Sequence, residues 1–179
     1  MIKINFEILK EGDILNFKTA GIGGFLIRYG TNGNVNHSAL FIDKKNNEII
    51  EALGSGIKRN NLEKVLKNKN ILNLDILRYE NLTAKELECI KIYAQSRVGK
   101  KYDYRQIIGL SIRNLFKKFT TIKFWWNKNL LDSKDKDICS ELVYNAYQSI
   151  QIKLLDKKNE GLIVPCDFEK SPYLTKINY

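Results

Sequence analysis

Two side chains in this sequence are of the kinds that carry out acyl chemistry without a cofactor: a thiol, Cys139, and the chain's single imidazole, His37. Cysteine attacks an acyl carbon as thiolate, and a place in the first turn of a helix lowers its pKa, because unpaired amides and the macrodipole stabilise negative charge. The spacing around Cys139 predicts that placement. A polar, non-periodic approach, Asp135 to Ile138, leads to it, and Leu142, Val143, Ala146, Tyr147 and Ile150 follow it at helical intervals. Such a stripe turns the sulfur inward and brings local backbone amides, that of Ser140 among them, within reach of an oxyanion. His37 opens the apolar run His37-Ser-Ala-Leu-Phe-Ile42, and an imidazole on a strand beside a helix-start thiol is a nucleophile with its base. Each residue alone has a plainer reading, as the first small residue of a buried face or as a surface or capping histidine. The pairing is what points to chemistry.

The elements that must position the pair follow from periodicity. Glu11-Gly-Asp-Ile-Leu-Asn-Phe17 predicts a first strand after a turn, and Gly21 to Tyr29 a short helix. After the turn formers Thr31-Asn-Gly-Asn34, the run from His37 to Ile42, the turn Asp43 to Asn47 and Glu48-Ile-Ile-Glu-Ala-Leu53 form a β-hairpin with His37 at its entry. Gly54-Ser-Gly56 ends the hairpin. Ile71 to Tyr79 alternates as another strand, and Thr83-Ala-Lys-Glu86 is a capping box opening a helix that Gly99 closes, with Leu87, Ile90 and Ala94 on one face. The expectation is one α+β domain over residues 1–179, an antiparallel sheet with helices on one side.

Length and composition narrow the function classes. At 179 residues roughly 70% of the unfolded chain's surface can be buried, so neither disulfide nor metal is needed to hold the fold. One histidine and dispersed Cys89, Cys139 and Cys166 supply no ligand cluster, and no metal or other cofactor is expected. The first ten residues interrupt their apolar positions with charges, and no apolar run approaches a membrane span, so the expected location is cytoplasmic with free thiols. A net charge of +10 favours acidic partners. The lysines are spread over the chain, as on a solvated surface, and nucleic-acid binding is disfavoured as the main role.

The order Gly12-Asp-Ile, Asn36-His-Ser-Ala-Leu-Phe-Ile42, Ile50-Glu-Ala52, Tyr102-Asp-Tyr104, Cys139-Ser-Glu-Leu-Val143 and Val164-Pro-Cys-Asp167 resembles the YiiX/YaeF-like branch of circularly permuted NlpC-type cysteine peptidases. In that family the histidine strand comes first and the nucleophile helix last. The resemblance spans about Gly12 to Leu174, with the Cys-Ser-Glu-Leu-Val and His-Ser-Ala blocks most specific. It implies a papain-like fold and a thiol and imidazole in acyl transfer on amide, peptide or lipid-ester substrates, with Cys139 as nucleophile and His37 as base. It also implies a polar residue that orients the imidazole, at Glu51, and a tyrosine near the nucleophile, Tyr102 ahead of Tyr104, to bond the oxyanion or line the acyl pocket; ordinary packing is the plainer role for both tyrosines.

The hairpin leaves the orienting role open. With the turn centred between Lys45 and Asn46, Ala52 shares the face of His37; a slip of one residue, by a bulge or longer loop, brings Glu51 round. Otherwise Glu51 is a solvent-facing strand residue, and Asp13, better suited to a structural turn role, stands in reserve. Ser111 to Lys136 is basic and aromatic, with Ile112, Leu115, Phe116 and Phe119 at amphipathic spacing. It reads as an insertion packed on the domain, as a lid over an acyl cleft, or as a weak membrane-surface contact. The function expected is a cysteine amidase or peptidase acting on a small peptide, amide or acyl-lipid substrate. Its rivals are a lipid-directed acyltransferase or thioesterase with the same dyad and a non-catalytic binding module on the same fold.

Overall fold

The computed structural model describes residues 2–101, 139–156 and 163–179. Its centre is an antiparallel sheet of β1 (Ile14–Thr19), β2 (His37–Asp43), β3 (Glu48–Leu53), β4 (Gly56–Asn61), β5 (Ile71–Arg78) and β6 (Thr175–Ile177), in the order β4-β3-β2-β1-β5-β6. β1 and β2 are therefore interior strands. Their runs Ile14-Leu-Asn-Phe17 and Ser38-Ala-Leu-Phe-Ile42 are buried on both faces, which is why they read as continuous apolar segments.

Five helices among the described residues complete the fold: α1 (Ile22–Thr31), α2 (Leu62–Leu66), α3 (Ala84–Arg97), α4 (Cys139–Gln148) and α5 (Pro165–Glu169). α3 begins at the expected capping box, Thr83 Oγ1 accepting from the Glu86 amide and a Glu86 carboxylate oxygen accepting from the Thr83 amide. α4 lays Leu142, Val143, Ala146 and Tyr147 onto Leu40, Ile42, Ile50 and Ala52 of the sheet, with Ile90 and Ala94 of α3 in the same layer. At about 1.5–3 kcal/mol for each fully buried large apolar side chain, this layer fixes the helix that carries Cys139.

The helices foreseen on one side are α3 and α4. The opposite face is closed as well: Leu15, Phe17, Ala39, Phe41 and Ile49 are covered by Leu62 and Leu66 of α2 and by the N-terminal stretch through Ile2, Ile4, Phe6 and Ile8. Gly54-Ser55 is a two-residue turn, with Leu53 paired to Gly56, so the hairpin continues into a third strand, β4. Asp13 is a structural anchor. Its carboxylate accepts from Arg78 Nε at 2.7 Å and Nη2 at 2.8 Å and from the Lys10 amide, while the Tyr147 hydroxyl donates to the Gly12 carbonyl at 2.6 Å. Gly12 has φ +94°, and a Cβ there would meet Leu82 Cδ1 at 2.8 Å, so only glycine fits this turn. Tyr102, Tyr104 and the 111–136 segment lie outside the described residues.

Candidate active site

His37 is the first residue of β2. Its partner across the ladder is Phe17, whose ring centroid lies 5.8 Å from that of the imidazole. Alternation puts His37 on the face of Ala39 and Phe41. Whether Glu51 shares that face depends on the β2–β3 register, and a bulge decides it: Asp43 pairs with Glu48, but past the shift between Phe41 and Asp43 the pairs become Phe41 with Ile49 and Ala39 with Glu51. That one-residue slip places Glu51 on the side of His37 rather than Ala52. Glu51 Oε2 stands 2.6 Å from His37 Nε2, and Glu51 Oε1 accepts from Asn60 Nδ2 at 2.8 Å. Asn60, on β4, is a partner that sequence reasoning missed. The two-residue Gly-Ser turn that generates β4 was the available signal.

Cys139 comes from the other layer, packed with the residues around Leu40 and Ile42. The helix that carries it, α4, packs on β2 and β3. His37 and Cys139 are electrostatically paired, each favouring the charged form of the other. Because Nε2 is engaged by Glu51, Nδ1 is the ring nitrogen left for the sulfur. The backbone amides of Ser38 and Ser140 act on the sulfur in the same direction, favouring its ionised form. The Ser140 hydroxyl donates to the Ile163 carbonyl at 2.7 Å, so Ser140 meets the thiol through its amide alone. Ser38 is held by a buried relay: its hydroxyl donates to Asn16 Oδ1 at 2.7 Å, and Asn16 Nδ2 donates to the Pro165 carbonyl at 2.9 Å. An asparagine inside the apolar run of β1 is the sequence trace of that relay.

The electrostatics follow from these contacts. Burial alone would push the imidazole down, but hydrogen bonds to Cys139 and Glu51, reinforced by their charges, outweigh it and carry the His37 pKa from 6.5 up to about 10. Burial likewise opposes ionisation of Cys139, yet His37 and the two amides hold its thiol below the ordinary value. Burial works against the Glu51 carboxylate too, and His37 and Asn60 keep it below its usual range. The arrangement favours the charged forms of a thiol, an imidazole and a carboxylate set beside one another. Cys166 is the contrast: also buried, it has only a weak bond to the Thr31 carbonyl at 3.7 Å, and burial pushes its thiol up. Asp13, committed to Arg78, takes no part. Among the described residues no group of three or more His, Cys, Asp or Glu side chains gathers to hold a metal ion, and no helix is long and apolar enough to cross a membrane.

No family model matches the chain. It is 32% identical over 100 residues to "Probable lipoprotein peptidase YaeF" of Escherichia coli (strain K12), a match that covers 56% of this chain and 35% of that protein. The chain therefore spans about a third of the length of the curated relative it matches. In fold it is similar to the metalloprotein YiiX of Escherichia coli O157:H7, with a TM-score of 0.66 at 18% identity over 94% of this chain and 96% of that one. The resemblance read from the motifs thus stands, to YaeF in sequence and to YiiX in fold, and the α+β sheet-and-helix architecture is the papain-like one.

Proposed function

We propose that this chain, similar to YaeF and YiiX, is a cysteine hydrolase that cleaves an amide or peptide-like substrate through a thioester acyl-enzyme. The observation that carries the reading is one largely buried imidazole bonded to a carboxylate and electrostatically paired with a thiol. The name of YaeF, a peptidase, supports hydrolysis as the reaction class. His37 as imidazolium keeps the Cys139 sulfur ionised, and the sulfur attacks the substrate carbonyl carbon. The imidazolium then gives its proton to the leaving nitrogen as the carbon–nitrogen bond breaks, which leaves a thioester and a neutral imidazole. His37 next takes a proton from the water that attacks the thioester, the acid product departs, and the thiolate–imidazolium pair is restored. Glu51 orients the ring and stabilises its charged form, and Asn60 orients Glu51.

An electrophilic acyl probe followed by mass spectrometry tests this. Wild type gains the acyl mass on the peptide carrying Cys139 and Cys139→Ala does not; equal labelling of the two proteins would overturn the assignment. A second reading keeps the dyad but directs it at acyl lipids, as a thioesterase or acyltransferase. It is favoured by the outer face of α1, where Ile22 is 81% and Phe25 57% exposed, an arrangement that suits an apolar interface. Lipid extracts against muropeptides as substrates separate the two. A non-catalytic module on the same fold predicts no acyl mass on Cys139 in the probe experiment.

A further inference from the structure

α1 lies against the end of the sheet that carries His37. Its inner side presents Gly24, where a Cβ would come within 2.7 Å of the Thr19 carbonyl and 3.0 Å of Asn36 Nδ2. That close approach lets Arg28, one turn on, reach the strand ends. Its Nη1 donates to the Thr19 carbonyl at 2.6 Å and to Asn36 Oδ1 at 2.8 Å. Asn36 is buried and its amide is spent, since Oδ1 also accepts from the Thr19 amide and Nδ2 donates to Thr19 Oγ1. The guanidinium is thus seated by one nitrogen, with the N–H groups of Nε and Nη2 left over. Arg78 and Arg59 each have a carboxylate partner, Asp13 and Glu48. Arg28 has none among the described residues. A half-buried guanidinium held in a fixed fork, with no carboxylate beside it among the described residues, offers a receptor for an anion.

Its position relative to the thiol follows from the backbone. The Asn36 amide donates to the carbonyl of Phe17 at 2.9 Å, the same residue that pairs with His37. Asn36 directly precedes His37 in the chain, and the Ser38 amide on the other side of His37 favours the ionised Cys139 sulfur. Arg28, anchored on the Asn36 side chain, is thus bonded to the residue next to the imidazole. We infer that Arg28 is the anion-binding residue of the substrate site, and that the acyl substrate carries a carboxylate or phosphate group close to the scissile bond. The inference rests on Cys139 being the nucleophile.

Alkylation with three matched reagents tests it: iodoacetylglycine, with a carboxylate; iodoacetyl-phosphoethanolamine, with a phosphate; and neutral iodoacetylglycinamide. The rates at Cys139 are read by peptide mass spectrometry. Exposed Cys89 serves as the internal reference for the attraction any anion feels toward a chain of charge +10. In wild type the anionic-to-neutral ratio at Cys139 exceeds that at Cys89 about tenfold, as one charge-assisted bond gives. Arg28→Gln lowers the Cys139 ratio to that of Cys89, and Arg28→Lys, which keeps the charge and a donor for Thr19, retains part of the preference. The faster anionic reagent identifies the source as peptide-like carboxylate or phosphate headgroup. An unchanged ratio in Arg28→Gln, or no preference in wild type, overturns the assignment. If the neutral reagent also spares Cys139 in wild type, it is the nucleophile that is wrong, and the role of Arg28 falls with it.

Discussion

Replacing Glu51 with glutamine keeps the side chain's shape and removes its charge. In wild type each carboxylate oxygen accepts from a different donor, Oε2 facing His37 Nε2 at 2.6 Å and Oε1 accepting from Asn60 Nδ2 at 2.8 Å. A glutamine can offer its carbonyl to only one of them and must turn its NH2 on the other, donor against donor, unless Asn60 reverses its amide. The contact lies out of water, with the His37 side chain 14% and the Glu51 side chain 4% exposed, so solvent screening takes little from it. A buried hydrogen bond to a charged partner is worth about 1.5–3 kcal/mol, which at about 1.4 kcal/mol per factor of ten is a fall of about tenfold to a hundredfold in kcat/KM. The sign on pH is fixed as well. Without the carboxylate the imidazolium is less stable, so the His37 pKa drops from about 10, and the thiolate it supports loses ground, so the Cys139 pKa rises. A pH profile of acyl-probe turnover in Glu51→Gln is therefore narrower at both ends than in wild type. Equal rates and coincident limbs in the two proteins would refute the orienting role.

Asn60→Ala leaves Glu51 charged but loosens it, and because the lost bond acts on the ring only through Glu51 the expected fall in kcat/KM is smaller, about threefold to tenfold; the same turnover assay measures it. In wild type the reactive pair persists from the depressed Cys139 pKa up to that of His37, so activity is lost toward acid as the thiolate takes up a proton and toward alkali near pH 10. Turnover across that range checks both limbs. Arg78→Met leaves Asp13 buried without its bidentate partner, which costs about 3–5 kcal/mol of folding stability, read as a lower urea midpoint at unchanged slope.

Much of the fold was legible because single segments carried their own signals. The Thr83-to-Glu86 box opens α3, and the stripe after Cys139 marks α4. The elements that escaped owe their existence to their neighbours. β4 runs Gly56-Ile-Lys-Arg-Asn-Asn61 with only Gly56 and Ile57 buried, so as an edge strand it lacks the alternation of a two-sided one; β6, three residues long, is too short to signal. Among the site residues, the types of Cys139 and His37 drew attention to themselves. The side on which Glu51 falls did not follow from sequence, because a bulge next to Ile42 moves the register by one and nothing in the local residue types announces it. Asn16 and Ser38 matter through a relay spanning β2, β1 and the first residue of α5, a tertiary arrangement that no local spacing encodes.

The central claim is that His37 holds the Cys139 sulfur ionised. Its most direct test is the pH dependence of Cys139 alkylation by iodoacetamide, followed by peptide mass spectrometry in wild type and in His37→Ala. In wild type the rate should reach half its maximum well below the value of about 8.5 for a free cysteine, and in His37→Ala, with only burial and two amides left to act on the sulfur, at or above it. Superimposable curves in the two proteins would contradict the account.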